Sequence, residues 1–244
     1  MPMVITSGSM AARALGFGTT TFVTQPSVSY TGSAYFNSHP SSDQELSVPS
    51  SAFQFGSGDY TVEFWVNVIS YTTYSQFVGQ WGTYQTFQFS IISNKLGLQN
   101  SSGFLDSGVS TLSGFTGSWH YLAYVRTSGT NYLYLDGTRY TMTGTNTTIN
   151  ANTSLNTGVG QVIDQVGYGL NGYINGLRVT VGVARYTGSS MTVPSKTFAT
   201  GIPNDTYWNN VSLYMPLNSN FNDISSNAYS VTNVNSVVQS STHP

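Results

Sequence analysis

Aromatic rings and side-chain amides are the groups of this sequence best suited to binding a ligand. The chain holds 17 tyrosines and 4 tryptophans. A flat aromatic face can stack on a pyranose ring, while Asn and Gln amides bond its hydroxyl groups. The candidates for carbohydrate binding are bunched between two strand-like runs: Tyr71, Tyr74, Trp81 and Tyr84. The same rings could instead stiffen loops or fill contacts between subunits, so both interpretations stay open.

Catalytic chemistry is not predicted, because residues of the right type are wrongly spaced. Glycosidases flank the sugar with two carboxylates, whereas Glu63 is the only acid on its predicted strand, and Asp43 and Glu45 lie in a predicted solvated turn. No Ser or Cys nucleophile motif accompanies the histidines, which are far apart: His39, His120 and His243. The sequence therefore predicts no enzyme and no catalytic residue.

Cofactors are not predicted either. With no cysteine in the chain, disulfides and Cys-based metal sites are excluded. Calcium requires several oxygen ligands at one place, and the acids available for it are isolated along the chain: Asp59, Asp106, Asp136, Asp164 and Asp223. A single calcium assembled from separated loops stays open, but the sequence favours no metal site.

The charge content constrains the partners. Charged residues are 7% of the chain, against about 25% in ordinary soluble proteins. The net charge is −2 and the seven basic residues are scattered, so nucleic acid is not an expected partner. No run approaches the roughly 20 apolar residues that cross a bilayer, so membrane insertion is not expected. The neutral surface fits either an ordinary β protein or a chain that packs against copies of itself.

The elements that position these residues are predicted to be short β-strands. In residues 60–68 the apolar side chains alternate with polar ones, which predicts one face toward a core. Asp136-Gly137 between two strand-like runs predicts a tight hairpin. No segment has sustained helical periodicity. The predicted class is all-β, with two packed antiparallel sheets. Further strands are predicted at 74–80, 85–92, 95–99, 119–126 and 172–181.

Four stretches resemble the laminin-G-like, concanavalin-A-like jelly-roll domains, in the variant common in bacteriophage structural proteins. They are GSAYFNS (32–38), LSVPSSAFQFGSGDYTVEFWVNV (46–68), YLYLDG (132–137) and NGYINGLRVTVGVARYTG (171–188). The resemblance implies a β-sandwich over 31–200. Residues 1–30 have too few periodic apolar positions for a core element and are predicted to form an extended arm. The resemblance is informative about fold and much less so about function, because one fold hosts many functions.

The end of the chain resembles the usual beginning of such a domain. Residues 201–244 are predicted to be a link followed by a strand segment. In that segment the stretch VSLYMPLNSNFNDISSNAYSVT has the alternating apolar residues of opening strands. Without opening strands a sandwich would expose its sheet edges. The segment could complete its own sandwich, complete that of a neighbouring subunit, or be a truncated second repeat. The residues expected to complete the sheet are Val211, Leu213, Met215, Tyr229 and Val231.

The resemblance implies a bacteriophage virion structural protein, in capsid decoration or in a tail or fibre, made in the host cytoplasm. Its partners would be copies of itself and other virion proteins. The arm would anchor it to a neighbour through four residues: Met10, Arg13, Leu15 and Phe17. The alternative is a carbohydrate-binding adhesin that recognises host surface glycans.

Overall fold

The computed structural model describes residues 31–38, 43–81, 85–144, 148–162, 165, 167–194 and 205–244. In these residues two antiparallel sheets pack face to face, which confirms the predicted all-β sandwich. The assembly-arm residues Met10, Arg13, Leu15 and Phe17, and the binding candidate Tyr84, lie outside the described residues. No helix within the described ranges is long and apolar enough to span a membrane.

Sheet A contains the following strands: β1 (Ser33–Asn37), β4 (Tyr60–Ser70), β9 (Trp119–Thr127), β10 (Thr130–Leu135), β11 (Thr138–Thr141), β14 (Asn171–Val181), β15 (Val211–Met215) and β17 (Val238–Ser240). Their spatial order is β11-β10-β9-β4-β14-β1-β17, and β15 also pairs with β14.

Sheet B contains β2 (Glu45–Pro49), β5 (Tyr74–Gln80), β6 (Phe87–Ile92), β7 (Lys95–Asn100), β8 (Gly103–Ser110), β13 (Asn156–Val159) and β16 (Thr232–Val234). Their order is β16-β2-β13-β5-β6-β7-β8. A short pair joins β3 (Gln54–Gly56) to β12 (Ile149–Asn150), and single 3-10 turns lie at Ser50–Phe53 and Trp208–Asn210.

The core lies between the sheets and follows the alternation of the strands. The five predicted inward residues of β4 are all buried in it: Tyr60, Val62, Phe64, Val66 and Val68. β6 contributes Phe87 and Phe89 from the opposite sheet. Burying one such side chain stabilises the fold by about 1.5–3 kcal/mol. Trp65, on the other face of β4, packs in a second cluster that residues 184–193 help to cover.

The predicted hairpin is confirmed at Asp136-Gly137. Both residues have positive φ, 48° and 87°, and Leu135 pairs directly with Thr138. The Asp136 carboxylate also accepts a hydrogen bond from the Tyr121 backbone N–H at 2.8 Å. The turn therefore both closes the hairpin and contacts the neighbouring strand β9.

The edge of β14 is shared by two strands from opposite ends of the domain. Residues 171–174 pair with β1, and residues 177–180 pair with β15. Asn175 and Gly176 lie at the junction. Asn175 Nδ2 donates to the Gly32 carbonyl at 2.6 Å, and Gly176, with φ of 67°, donates its N–H to the Pro216 carbonyl at 3.0 Å. The two residues hold the start of β1 and the end of β15 side by side.

The last strands cross from one sheet to the other. β16 pairs with β2 in sheet B, and β17 pairs with β1 in sheet A. Asn235 and Ser236 turn the chain with positive φ. The Asn233 amide bonds both the N–H and the carbonyl of Val237, each at 2.8 Å. Val237 enters the core, so the segment closes one open side of the sandwich.

The strand-completion residues take three different positions. Leu213 and Met215 are buried in the main core. A bulge shifts the pairing between Val179 and Thr180, and Val211 joins a separate cluster with Trp208 and Tyr214. Tyr229 and Val231 precede β16 and pack on the core while partly buried. In this single chain the segment pairs with strands of its own sandwich.

Candidate functional site

A pocket opens on the outer face of sheet B, across β5, β6 and β7. Its volume is about 280 Å³, just below the range of about 300–1,000 Å³ typical of small-molecule sites. It is therefore of a size for a small group such as a sugar ring. The lining residues are uncharged and combine rings, amides and aliphatic groups: Tyr74, Gln76, Trp81, Gln88, Ile91, Ile92, Gln99, Gln165 and Tyr168.

Strand alternation places the amides in this pocket. Gln88 lies between Phe87 and Phe89, which enter the core, so its side chain emerges on the outer face. Gln99 is directly opposite it on β7. Gln76 comes from β5 on the other side. Gln76 and Gln88 are only 2% and 4% exposed to solvent, so their amides must form hydrogen bonds within the protein.

The amides form a continuous chain of hydrogen bonds, here called the glutamine ladder: Gln165, Gln76, Gln88 and Gln99. Gln76 Nε2 donates to Gln88 Oε1 at 3.1 Å and also to Gln165 Oε1. Gln88 Nε2 donates to Gln99 Oε1 at 2.7 Å. The two buried members are thereby satisfied, and the two partly buried end members face the pocket.

Aromatic rings form the walls. Tyr74 and Tyr168 meet edge to face, with ring centroids 5.4 Å apart at 84°. They are 37% and 41% exposed, so much of each ring is open to a ligand. Trp81, 9% exposed, lines the pocket from the end of β5. The Gln76 backbone N–H donates to the Tyr168 carbonyl at 2.9 Å, which holds the segment of Tyr168 beside β5.

Tyr74 and Trp81, two of the four predicted binding residues, lie together in this pocket. Tyr71 does not line it: its ring packs on the core and its hydroxyl donates to Thr111 at 3.0 Å. The sequence analysis missed the glutamine ladder and Tyr168. Alternation along β6 and β7 could have placed Gln88 and Gln99 on one face, but no local signal links Gln165 or Tyr168 to this sheet.

A buried ionic cluster on the outer face of sheet A is a second concentration of polar groups. Glu63 accepts hydrogen bonds from Arg178 Nε at 2.7 Å, Tyr121 at 2.5 Å and Tyr186 at 2.6 Å. Burial alone would raise the pKa of Glu63, but Arg178, Arg185 and the two tyrosine hydroxyls outweigh it and lower that pKa. Glu63 is held as a carboxylate with both oxygens occupied, unlike a general acid.

Asp205 completes this cluster from the C-terminal segment. Arg185 donates to both its oxygens, at 2.9 and 2.8 Å, and Arg178 Nη1 lies 3.3 Å away. Burial would raise the pKa of Asp205, but the hydrogen bonds and charge of Arg185 and the charge of Arg178 lower it. The cluster joins β4 and β14 to residues 184–193 and to the C-terminal segment, so its role is to hold the fold together.

The other acidic residues considered above for catalysis or calcium binding are engaged in structural contacts. No three acidic, histidine or cysteine side chains converge as a metal site within the described ranges. Asp164 lies outside those ranges. The remaining acids contact groups nearby: Asp43 binds Gln161, Asp59 the Ser128 N–H, Asp106 Lys95, Asp136 His120, and Asp223 four groups of the C-terminal segment.

Comparison with solved structures finds similarity to carbohydrate-binding and laminin proteins, with a TM-score above 0.5 for the first of those described here. A candidate carbohydrate-binding protein from Bacteroides ovatus aligns at 14% identity with a TM-score of 0.56, over 86% of this chain and 62% of that one. Domains LG4-5 of the mouse laminin alpha1 chain align at 14% identity with a TM-score of 0.45, over 71% of this chain and 48% of that one.

A third structure is the CBM40 domain of the Ruminococcus gnavus IT-sialidase, solved bound to alpha2,6 sialyllactose. It aligns at 12% identity with a TM-score of 0.43, over 65% of this chain and 94% of that one. The chain thus spans only about half to three fifths of the first two solved chains. No curated protein sequence matches it.

The family assignment comes from sequence. The laminin G family profile (Laminin_G_3), described as Concanavalin A-like lectin/glucanases superfamily, matches residues 40–183, more than half of the chain. The matched range runs from β2 to the end of β14 and includes every strand that lines the pocket. The chain therefore belongs to the laminin G family of the concanavalin A-like lectin/glucanases superfamily.

Proposed function

We propose that this protein is a non-enzymatic glycan-binding domain and that the pocket on sheet B is its binding site. The observation that carries the proposal is the composition of that pocket, in which exposed faces of Tyr74 and Tyr168 and the ring of Trp81 surround the glutamine ladder. Aromatic faces stack on the C–H faces of sugars, and amides match the hydroxyl groups at their edges.

Binding without catalysis is the form that this pocket supports. None of the nine described residues that line it is an acid, whereas glycoside hydrolysis uses two carboxylates that flank the scissile bond. The Bacteroides ovatus protein that shares this fold is described as a candidate carbohydrate-binding protein. That likeness is one of fold, so the pocket itself remains the support for the function.

A glycan array followed by titration calorimetry tests the proposal. We expect reproducible binding that Trp81→Ala and Tyr168→Ala each weaken at least tenfold, which is about 1.4 kcal/mol. Tyr207→Ala is the matched control, because Tyr207 is 40% exposed and does not line the pocket. Absence of binding to any glycan, or equal losses with Tyr207→Ala, would contradict the proposal.

Assembly in a bacteriophage virion is a second candidate function, made from the sequence resemblance. The observation that favours it is the charged fraction of 7%, which leaves little repulsion between copies. On this proposal the protein acts in the virion with copies of itself. Light scattering across a concentration series would show association if it is right, and a strictly monomeric protein at high concentration would count against it.

A further inference from the structure

A row of outward side chains crosses five neighbouring strands of sheet A. Their strand neighbours Phe36 and Ile174 enter the core, so the row lies on the outer face of the sheet, opposite to the pocket. Residues directly opposite each other in register share a face. The members, here called the aromatic strip, follow one another in register on β9, β4, β14, β1 and β17: Trp119, Asn67, Tyr173, Tyr35 and Val238.

The rings of the strip form a nearly continuous surface. The ring centroids of Tyr35 and Tyr173 are 5.0 Å apart, and those of Trp119 and Tyr173 are 6.0 Å apart. Two strand spacings of about 10 Å separate β9 from β14, so Trp119 and Tyr173 lean together over Asn67, which is only 9% exposed. The three rings stay partly exposed and Val238 is 49% exposed. Solvent therefore reaches an apolar strip.

Polar groups line one side of the strip and a wall lines the other. Asn37 and Asn171, two positions along β1 and β14 from the tyrosines, are directly opposite each other. Asn171 Nδ2 donates to Ser70 Oγ at 2.8 Å, which continues this polar row onto β4. Across the strip, residues 184–193 pack on the cluster that contains Trp65. The apolar surface is thus only one side chain wide.

These dimensions select the kind of ligand. Five strands make the strip about 19 Å long, and the two-residue repeat along each strand makes it about 7 Å wide. Its area of roughly 130 Å² is far below the roughly 800 Å² that each partner buries in a stable protein interface. The ring planes are tilted by 37° and 41°, so each ring offers a separate face. A long, narrow surface of this kind suits the successive units of one extended polymer chain.

We propose that the aromatic strip is a second carbohydrate site, which binds an extended β-1,4-linked polysaccharide chain laid across the strands. Its rings stack on successive sugar faces, and the amides of Asn37 and Asn171 meet the hydroxyl groups along one edge. A β-1,4-linked chain is extended, whereas an α-1,4-linked chain coils and cannot hold several ring faces in line. This site is separate from the pocket on sheet B and goes beyond the function proposed above.

Calorimetry on the wild-type protein tests the length and linkage of the ligand. The probes are dimers and hexamers of β-1,4-linked glucose, mannose, xylose and N-acetylglucosamine, with the α-1,4-linked glucose hexamer as the linkage control. We expect at least one β-1,4-linked hexamer to bind at least tenfold more tightly than its own dimer, because a dimer covers only part of the row of rings. The α-1,4-linked hexamer should bind at least tenfold more weakly than that hexamer.

Variants of the strip test its position. Tyr35→Ala and Tyr173→Ala should each weaken hexamer binding at least tenfold. Tyr35→Phe keeps the ring and should bind as the wild type does. Tyr207→Ala is the matched control, because Tyr207 is 40% exposed and is not part of the strip. Thermal melting of each variant shows whether a loss of binding comes from unfolding.

No hexamer binding, or equal affinity for hexamers and dimers, would overturn this inference and leave the pocket on sheet B in place. Hexamer binding that Trp81→Ala abolishes and the two tyrosine-to-alanine variants leave unchanged would also overturn it, by assigning the chain to the pocket. Hexamer binding that persists in Trp81→Ala, when that change weakens binding to no glycan, would support the strip and overturn the pocket.

Discussion

Glu63 and Gln76 are both buried polar residues, and the difference between them separates scaffold from site. Glu63 is ionised and its oxygens are taken by Arg178, Tyr121 and Tyr186. Gln76 is neutral, and its hydrogen bonds lead outward to residues that face a pocket. A buried charge is retained only where it is fully paired. Neutral amides can instead form a hydrogen-bonded chain whose end members are available to a ligand.

Removing the charge of Glu63 should destabilise the protein strongly. Glu63→Gln removes the nearer carboxylate of buried Arg178 and leaves it only the 3.3 Å contact with Asp205, and breaking a buried pair costs about 3–5 kcal/mol. Urea denaturation measures the loss. Lys95→Ala, which breaks the solvent-exposed pair with Asp106, is the control and should cost less than about 1 kcal/mol. Equal effects of the two changes would rule out a structural role for the buried cluster.

Acid should weaken the fold through the same cluster. The pKa values of Glu63 and Asp205 are lowered below their ordinary values of 4.5 and 3.8. The unfolded state therefore takes up protons first as the pH falls, and the stability that both carboxylates contribute above those values is lost below them. Urea midpoints measured from pH 7 to pH 3 should stay level to about pH 5 and then fall. Asp205→Asn should make that fall shallower.

At the scale of elements, the C-terminal segment (205–244) forms three strands that lie in two sheets. β15 occupies the part of β14 that β1 leaves unpaired, and β16 and β17 lie at the outer edges of sheets B and A. Between them Asp223, 7% exposed, accepts hydrogen bonds from the N–H groups of Tyr214, Ser225 and Tyr229, each at 2.9 Å. This carboxylate organises the loop that returns the chain from β15 to β16.

Leu213→Ala tests whether β15 is a core element. Leu213 is fully buried, and truncating such a leucine costs about 2–5 kcal/mol through lost burial and the cavity left behind. Thermal and urea unfolding measure the change. Val238→Ala in β17 is the comparison: Val238 is 49% exposed, so its loss should fall within about 0.5 kcal/mol. A small effect at Leu213 would mean that β15 is dispensable.

For the whole molecule, closure of the sandwich depends on both ends of the domain meeting. β1 begins at Ser33, and its neighbours across the sheet include β17, which ends at Ser240. Ser33 Oγ donates to the Thr242 carbonyl at 2.6 Å. The sandwich is therefore assembled from segments about 200 residues apart, a topology that raises the entropic cost of folding.

Deleting residues 205–244 should leave a chain that aggregates or fails to fold. The deletion exposes the edges of β1, β2 and half of β14 and uncovers the core beneath Leu213, Met215 and Val237. Unpaired edges beside apolar surface favour association. Size-exclusion chromatography and thermal melting measure the outcome. A truncated chain that stays soluble, monomeric and equally heat-stable would show that the segment does not complete the sandwich.

Local pattern was sufficient for the strands and turns. Alternation predicted which face of β4 enters the core, and Asp136-Gly137 predicted its hairpin, because both depend on neighbouring residues alone. Proximity in sequence also placed Tyr74 and Trp81 in one candidate site. Proximity in sequence could neither exclude Tyr71 from the site nor include Tyr168 in it. The ring of Tyr71 packs on the core, and Tyr168 reaches the pocket from a distant part of the sequence.

The sequence by itself determined the all-β class, the main strands and the unusually neutral composition, since these follow from residue type and period. Only the tertiary structure decided that Gln165 and Tyr168 meet β5, that Glu63 and Asp205 share the partners Arg178 and Arg185, and that β15 shares an edge of β14 with β1. The residues brought together are about 90 or more positions apart, except between β14 and β15, where paired residues are 31–38 positions apart. Their meeting depends on sheet order and register, which are set by the packing of the whole sandwich rather than by any local stretch of chain.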